Sequence, residues 1–412
     1  VLCEKLFKNQ IRNQISKKGV SEMRQLKIKV AKQVFATIMI CCLLCLSARA
    51  AEYRTAPTLN KGAKWRIGYY EGGEYMSYQK TLMAVIAGLM DTGWIEKAEI
   101  PPQEGIQTKN LWNWLAAQAK SSYLEFVADA HYSINWDKPL REKTASDIIT
   151  RLNEKKDIDL MFAMGTWAGQ DLANNRHHTP TLVMSCSDAV ASNIIKSVDD
   201  SGYDHVHAWT DPLRHERQIW AFHNIIKFKK LGVAYQDTVA GRSYAAIEKI
   251  EKAAAKHGFE IIRCHTADAR PDIKQFEDSV RKCFQELVKT ADAVYVTQQA
   301  GVNKTTVPEL VELCNARRIP TFSQAGEEEV KQGFLMTIAL ASDRYLGDFH
   351  VMTLAKILNG AKPRELPQYF GGPYKWHFNF ETAKKIGLDI SKLNMEADYI
   401  TLPDFLPDNA SP

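Results

Sequence analysis

Two kinds of segment alternate along most of this chain. From Lys64 onward, short apolar runs rich in β-branched and aromatic residues take turns with helix-period segments about fifteen residues long. Alternating strands and helices of this kind predict an α/β fold with parallel sheets. The runs Trp65–Tyr70, Leu124–Ala128, Leu160–Ala163, Thr181–Cys186 and His205–Trp209 read as one series of strands. A second series is Lys230–Tyr235, Glu260–Cys264, Ala293–Thr297, Pro320–Ser323 and Phe334–Leu340. Helices are expected at Tyr78–Thr92, Lys138–Glu154, Pro212–Ile226, Ser243–His257, Ile273–Val288 and Thr306–Arg317. Two runs of five strands exceed what one wound domain of this size needs, so a break is expected near Asp211-Pro212, with two Rossmann-like lobes. The helix Arg344–Leu358 returns to the first lobe in this reading, and a late strand at Tyr374–Phe380 joins the second. The lobes are then 62–210 with 342–365, and 211–341 with 366–412.

The N-terminal part reads differently. From Met23 the chain carries Arg24, Lys27, Lys29 and Lys32, then the apolar run Val34–Leu46, then Ser47-Ala48-Arg49-Ala50. This is the pattern of a secretory signal peptide, with small residues at Ala48 and Ala50 for a peptidase and cleavage expected after Ala50. Thirteen residues rise about 20 Å as a helix, short of the ~30 Å hydrocarbon core, which argues against a permanent anchor. Residues 1–22 lie upstream of that signal and are expected to be an over-extended translation start, leaving a periplasmic mature protein. Residues 1–50 hold ten Lys and Arg against Glu4 and Glu22, so 43 basic and 46 acidic residues remain in 51–412, a net of −3. That balance disfavours nucleic acid as a partner.

Four cysteines, Cys186, Cys264, Cys283 and Cys314, fall beyond the leader, none of them in C-x-x-C spacing. An oxidising compartment permits a disulfide, with Cys264 and Cys283 the nearest pair, but buried free thiols are the plainer expectation. No G-x-G-x-x-G, G-x-x-x-x-G-K-[ST] or G-x-S-x-G occurs. His205 and His207 share one side of a strand, whereas His215 and His223 stand eight apart on a helix, too far for one ion. Neither a metal nor a cofactor is expected.

In open α/β sheets, ligands bind beyond the carboxyl ends of the strands. Those positions are polar here: Tyr70 and Glu71 after the first strand, Thr166 and Trp167 after the third, Ser187 and Asp188 after the fourth. The second series exits at Gln236, at Gln298-Gln299, at Ser323 and at Ser342. Helix capping accounts for many of the hydroxyls, but not for the Gln298-Gln299 pair or for the aromatics Tyr70, Tyr75 and Trp167. Exposed helix N-termini with hydroxyls hold carboxylates, and aromatic walls hold apolar or planar bodies. A small zwitterion or organic acid suits both.

With these features in hand, the sequence resembles the periplasmic solute-binding proteins of ABC transporters, of the type I periplasmic binding fold, and within them the branch that includes tryptophan- and tyrosine-binding members. The resemblance runs from about Ile67 to Pro367. It is carried by Met164-Gly165-Thr166-Trp167, Ser185-Cys186-Ser187-Asp188, Leu231–Gln236, Ala291–Gln298, Arg318–Ser323 and Leu354–Pro363. It implies ligand contacts at Thr166, Ser187, Asp188, Gln236, Gln298 and Ser323. Gln236, Gln298 and Trp167 depart from the family's usual residues, and the segment 95–121 is longer than its usual connection. The implied protein is a monomeric receptor that is not an enzyme. Its lobes close about hinges near Trp209–Pro212, Ala341–Asp343 and Pro363–Pro367, and it delivers a small polar ligand to an inner-membrane ABC permease. Glu71 is assigned to a ligand ammonium and the Thr166 helix start to its carboxylate. A sensory receptor feeding a histidine kinase or chemoreceptor is the alternative, and an exported α/β enzyme a more remote one.

Overall fold

A computed structural model of the chain describes residues 53–267 and 273–389. The signal peptide and the segment ahead of it lie outside the described residues. So does the chain after residue 389.

The first sheet contains β1 (Trp65–Glu71), β2 (Leu124–Ser133), β3 (Leu160–Met164), β4 (Thr181–Met184) and β5 (Val206–Ala208), in the order β2-β1-β3-β4-β5 and parallel throughout. The second contains β6 (Lys230–Gln236), β7 (Glu260–Thr266), β8 (Ala293–Val296), β9 (Thr321–Ser323) and β10 (Met336–Leu340). β11 (Tyr374–Phe378) adds antiparallel to β10, giving the order β11-β10-β9-β8-β6-β7. Without β11 the two sheets have the same order, the second strand of each series lying outside the first. Each therefore has one switch point, between β1 and β3 and between β6 and β8, where consecutive helices leave in opposite directions and a crevice opens. The sequence shows why these strands are central: Ile67 to Glu71 of β1 are all buried, as parallel strands covered on both faces must be, while edge strand β2 alternates buried and exposed residues.

Twelve helices are described. α1 (Met76–Asp91), α2 (Lys109–Ala117), α3 (Lys138–Glu154) and α4 (Gly165–Leu172) belong to the first sheet. α5 (Arg214–Ile226), α6 (Val239–Tyr244), α7 (Ile247–His257), α8 (Ile273–Thr290), α9 (Val307–Ala316) and α10 (Glu327–Lys331) serve the second. α11 (Asp343–Leu358) leaves β10 and packs along α1, and α12 (Phe380–Ile386) follows β11. The contact of α11 with α1 is close because small residues face each other: a Cβ on Gly347 would lie 2.7 Å from the Ala84 backbone, and one on Gly88 would lie 2.8 Å from Val351.

Two expectations need correction. The single helix read at Ser243–His257 is two, α6 and α7, because Ala246 takes a left-handed φ of 54° and breaks the ladder. Cys264 and Cys283 are not free thiols: they are bonded, tying edge strand β7 to α8. Cys186 and Cys314 are free and buried. The long connection at 95–121 contains α2, whose Trp112 and Trp114 are buried beside β2.

Three segments cross between the lobes, and two of them pair. Thr210 N–H donates to the Gln368 carbonyl at 2.9 Å, and Phe370 N–H donates to the Thr210 carbonyl at 3.3 Å. Gln368 is wholly buried, yet its amide is satisfied: Oε1 accepts from Ala208 N–H at 2.7 Å, and Nε2 donates to the Leu366 carbonyl at 2.8 Å. Beside it, Arg217 of α5 pairs with Asp211, and the Tyr374 hydroxyl completes the cluster.

Candidate functional site

The carboxyl ends of the two sheets face each other, with Ser187 beyond β4 within hydrogen-bond distance of Gln298 beyond β8. On the first-lobe side, β1 is followed by Gly72-Gly73, and the indole of Trp136 lies over this pair, within 2.8 Å of where a Gly72 Cβ would be. Asn135 and Trp136 both hold left-handed backbone, φ 49° and 63°, which L side chains rarely adopt. The next wall is Trp167, whose ring meets Trp136 edge to face at 5.5 Å. Tyr78 of α1 stands 6.2 Å from Trp136 and 5.4 Å from Tyr75. Gly165 opens α4 at φ 84°, and a Cβ there would fall 1.8 Å from the Tyr78 hydroxyl, so glycine is required on both counts. Thr166 follows, nearly buried in the first turn of α4.

Two of the strand-end side chains face into their own lobe. The Tyr70 hydroxyl donates to Asp171 Oδ2 at 2.7 Å, and Asp171 is also held by Arg141, whose guanidinium lies over the Trp167 ring at 4.7 Å. Glu71 is 1% exposed and accepts from the Tyr69 and Thr108 hydroxyls, each at 2.7 Å. Burial holds its carboxyl above the usual range despite those bonds. His131, 3.0 Å from the Thr108 hydroxyl, is pushed down to about 3 by the same burial.

At the end of β4, Asp188 Oδ1 accepts from the backbone N–H groups of Val190 and Ala191, at 3.0 and 2.9 Å, which shapes the turn. Ser187 reaches the other lobe, its hydroxyl 3.4 Å from Gln298 Oε1. Gln298 N–H donates to Gln324 Oε1 at 2.9 Å, and Gln324 is wholly buried. Gln299 turns away to the Ala234 carbonyl and Thr297. Ser323 donates to Glu329 Oε2 at 2.7 Å, and burial raises the Glu329 carboxyl to about 7. Gln236 is half-buried at the end of β6. Ser342 caps α11, accepting from Arg344 N–H at 3.1 Å.

The structure thus brings Trp167, Ser187 and Gln298 to the facing strand ends, with Thr166 beside Trp167 in the first turn of α4, while Tyr70 and Glu71 are engaged inside the first lobe. It adds residues that strand-end reasoning missed. Trp136 lies beyond a strand longer than its apolar run indicates, and Tyr244 sits in what reads as the first turn of a helix. Arg214, the first residue of α5, is half-buried and makes no ion pair or side-chain hydrogen bond among the described residues. Its charge acts on Tyr75 and Cys186 of the first lobe and on Tyr295 of the second, so it stands at the junction of the two. Among the described residues no group of three or more His, Cys, Asp and Glu is placed to hold a metal ion, and no helix is long and apolar enough to cross a membrane.

Two mostly parallel sheets, alike in strand order apart from β11 and facing each other with their strand ends, define a type I periplasmic binding protein fold. The model of the ABC transporter substrate binding protein family matches residues 128–398, and the chain belongs to that family, whose members are typically extracytoplasmic. No curated protein matches the sequence. Among solved structures, the chain is similar to a conserved domain protein of Vibrio cholerae, with 17% identity, a TM-score of 0.58, and 79% of this chain and 95% of that one covered. It is similar in the same degree, 17% and 0.58, to an ABC domain from Streptococcus pneumoniae in complex with L-Trp, over 79% and 96% of the two chains. A ligand-free, open substrate-binding protein with adhesive properties from Clostridium difficile shares 19% identity and a TM-score of 0.56, over 82% and 99%.

Proposed function

We propose that this protein is the extracytoplasmic solute-binding component of an ABC importer, taking a small organic acid or amino acid into the cleft between its lobes and passing it unaltered to a membrane permease. The observation that carries this reading is the half-buried Arg214 guanidinium, without an ion pair among the described residues, at the meeting of two sets of strand ends. Buried and half-buried arginines elsewhere in the fold are matched: Arg217 by Asp211, Arg141 by Asp171, Arg151 by Asp157. A cation left half-buried at such a place suits a carboxylate brought by the solute. In this assignment Arg214 and the Thr166 turn of α4 take the carboxylate. Ser187, Asp188, Gln236, Gln298, Ser323 and Ser342 frame the polar end, and Trp136, Trp167 and Tyr78 the apolar body. Tyr70 and Glu71 act from behind, holding the wall in place. The pneumococcal protein crystallised with L-Trp supports a solute of this size.

Native mass spectrometry of the purified exported protein identifies a retained solute, and calorimetry with that solute tests the roles. Hydrogen bonds to charged groups contribute about 1.5–3 kcal/mol, so Thr166→Ala combined with Arg214→Gln should weaken binding about tenfold to a hundredfold or more. Unchanged affinity in a variant that melts like the parent discards the assignment.

A further inference from the structure

The two lobes are bonded to each other by their own side chains. α6 is a helix of six residues that leaves the end of β6 and reaches the first lobe. Trp167 Nε1–H donates to the Tyr244 hydroxyl at 2.8 Å, and the Ser192 and Ser243 hydroxyls lie 2.8 Å apart. The Tyr244 ring packs against the first lobe's hydrophobic core, beside a cluster that includes Trp167, Ala168 and Ala189. Its carbonyl is held from behind, accepting from Gln324 Nε2 at 2.7 Å.

The backbone aims this finger. Thr238 caps its start by accepting from Gly241 N–H, and a Cβ on Gly241 would sit 2.2 Å from the Gln236 carbonyl, so only glycine lets the helix lie this close to the strand end. At its other end the left-handed Ala246 separates it from α7, so α6 follows a direction of its own. A continuous helix from 243 to 257 has no such freedom.

We propose that Tyr244 is an intramolecular latch, a residue of the second lobe that holds the cleft closed on the first lobe when no solute is bound. This rests on the receptor reading above and adds to it a means by which the fold sets its own open-to-closed ratio. A neutral hydrogen bond of this kind shifts such a ratio by about twofold to tenfold, and loss of the ring contact adds to that.

The test compares solute-free exported protein, its bare mass verified by native mass spectrometry, with Tyr244→Phe and Tyr244→Ala by small-angle scattering. The latch requires a compact parent, a Tyr244→Ala protein expanded in the absence of solute, and Tyr244→Phe in between. Superposable solute-free profiles for parent and Tyr244→Ala overturn it. A pair of substitutions, Ser192→Cys with Ser243→Cys, supplies a reading that does not depend on removing the ring. Under mild oxidation without solute this pair should close into an interlobe disulfide, found by peptide mapping. A pair that closes only after solute is added also overturns the latch. Solute-free profiles judge the latch, whereas compaction of Tyr244→Ala on adding the retained solute judges the receptor reading.

Discussion

At the scale of single residues, the molecule keeps several titratable groups dry. His207 and His350 are wholly buried near the lobe crossings. His207 Nε2 lies 2.8 Å from the Pro367 carbonyl, and neither nitrogen of His350 has a hydrogen-bond partner among the described residues. Burial pushes the imidazolium form down to about 4 for His207 and about 3 for His350. Both are neutral in the fold, while the unfolded chain takes up protons near pH 6.5, so stability falls as pH drops from there toward the folded values. A buried histidine of this kind costs the folded state about 2 kcal/mol at pH 5 relative to pH 7. Urea unfolding at the two pH values should show this loss, and His350→Phe should remove about 2 kcal/mol of the difference. An unchanged difference would mean that His350 is not buried as described. The sequence shows these histidines but not their burial. The structure sends His207 to a hinge carbonyl and places His215 3.1 Å from Gln218.

At the scale of elements, the strands are legible because their buried faces demand apolar runs. The helix contacts are less so. α11 returns from the second sheet to lie along α1, and what fits it there is the pairing of Gly347 with Ala84 and of Gly88 with Val351. Gly347→Val should force the helices apart at a cost of about 1–3 kcal/mol by overpacking. Chemical denaturation checks this against Gly347→Ala, which should cost less. A Gly347→Val protein as stable as the parent would show that the two helices do not pack here. The break between α6 and α7 was hidden for a related reason. Alanines 245 and 246 favour helix, and only contacts with β6 and the first lobe turn Ala246 into left-handed backbone. The 264–283 disulfide likewise depends on β7 and α8 lying side by side, a contact that spacing along the chain does not reveal.

At the scale of the whole molecule, the proposed function rests on two sheets whose strand ends meet face to face. A solute that binds only this folded arrangement raises its stability by mass action, about 2.7 kcal/mol at a hundred times its dissociation constant. A thermal-shift screen of organic acids and amino acids should therefore show stabilisation by a few related compounds, each recovered chemically unaltered. A compound consumed during the assay would point to the enzyme alternative instead.

Local periodicity and the places where apolar runs stop were enough to show the strands in their order along the chain, the repetition of β-α units in two series, and the polar character of the strand ends. The folded chain was needed to show which strand-end side chains meet across the two sheets and which turn inward. It also decided that Arg214 stands half-buried without an ion pair among the described residues, and that Tyr244 crosses to Trp167. Those outcomes depend on how residues distant along the chain divide a small space between them, and a one-dimensional pattern carries no record of that competition.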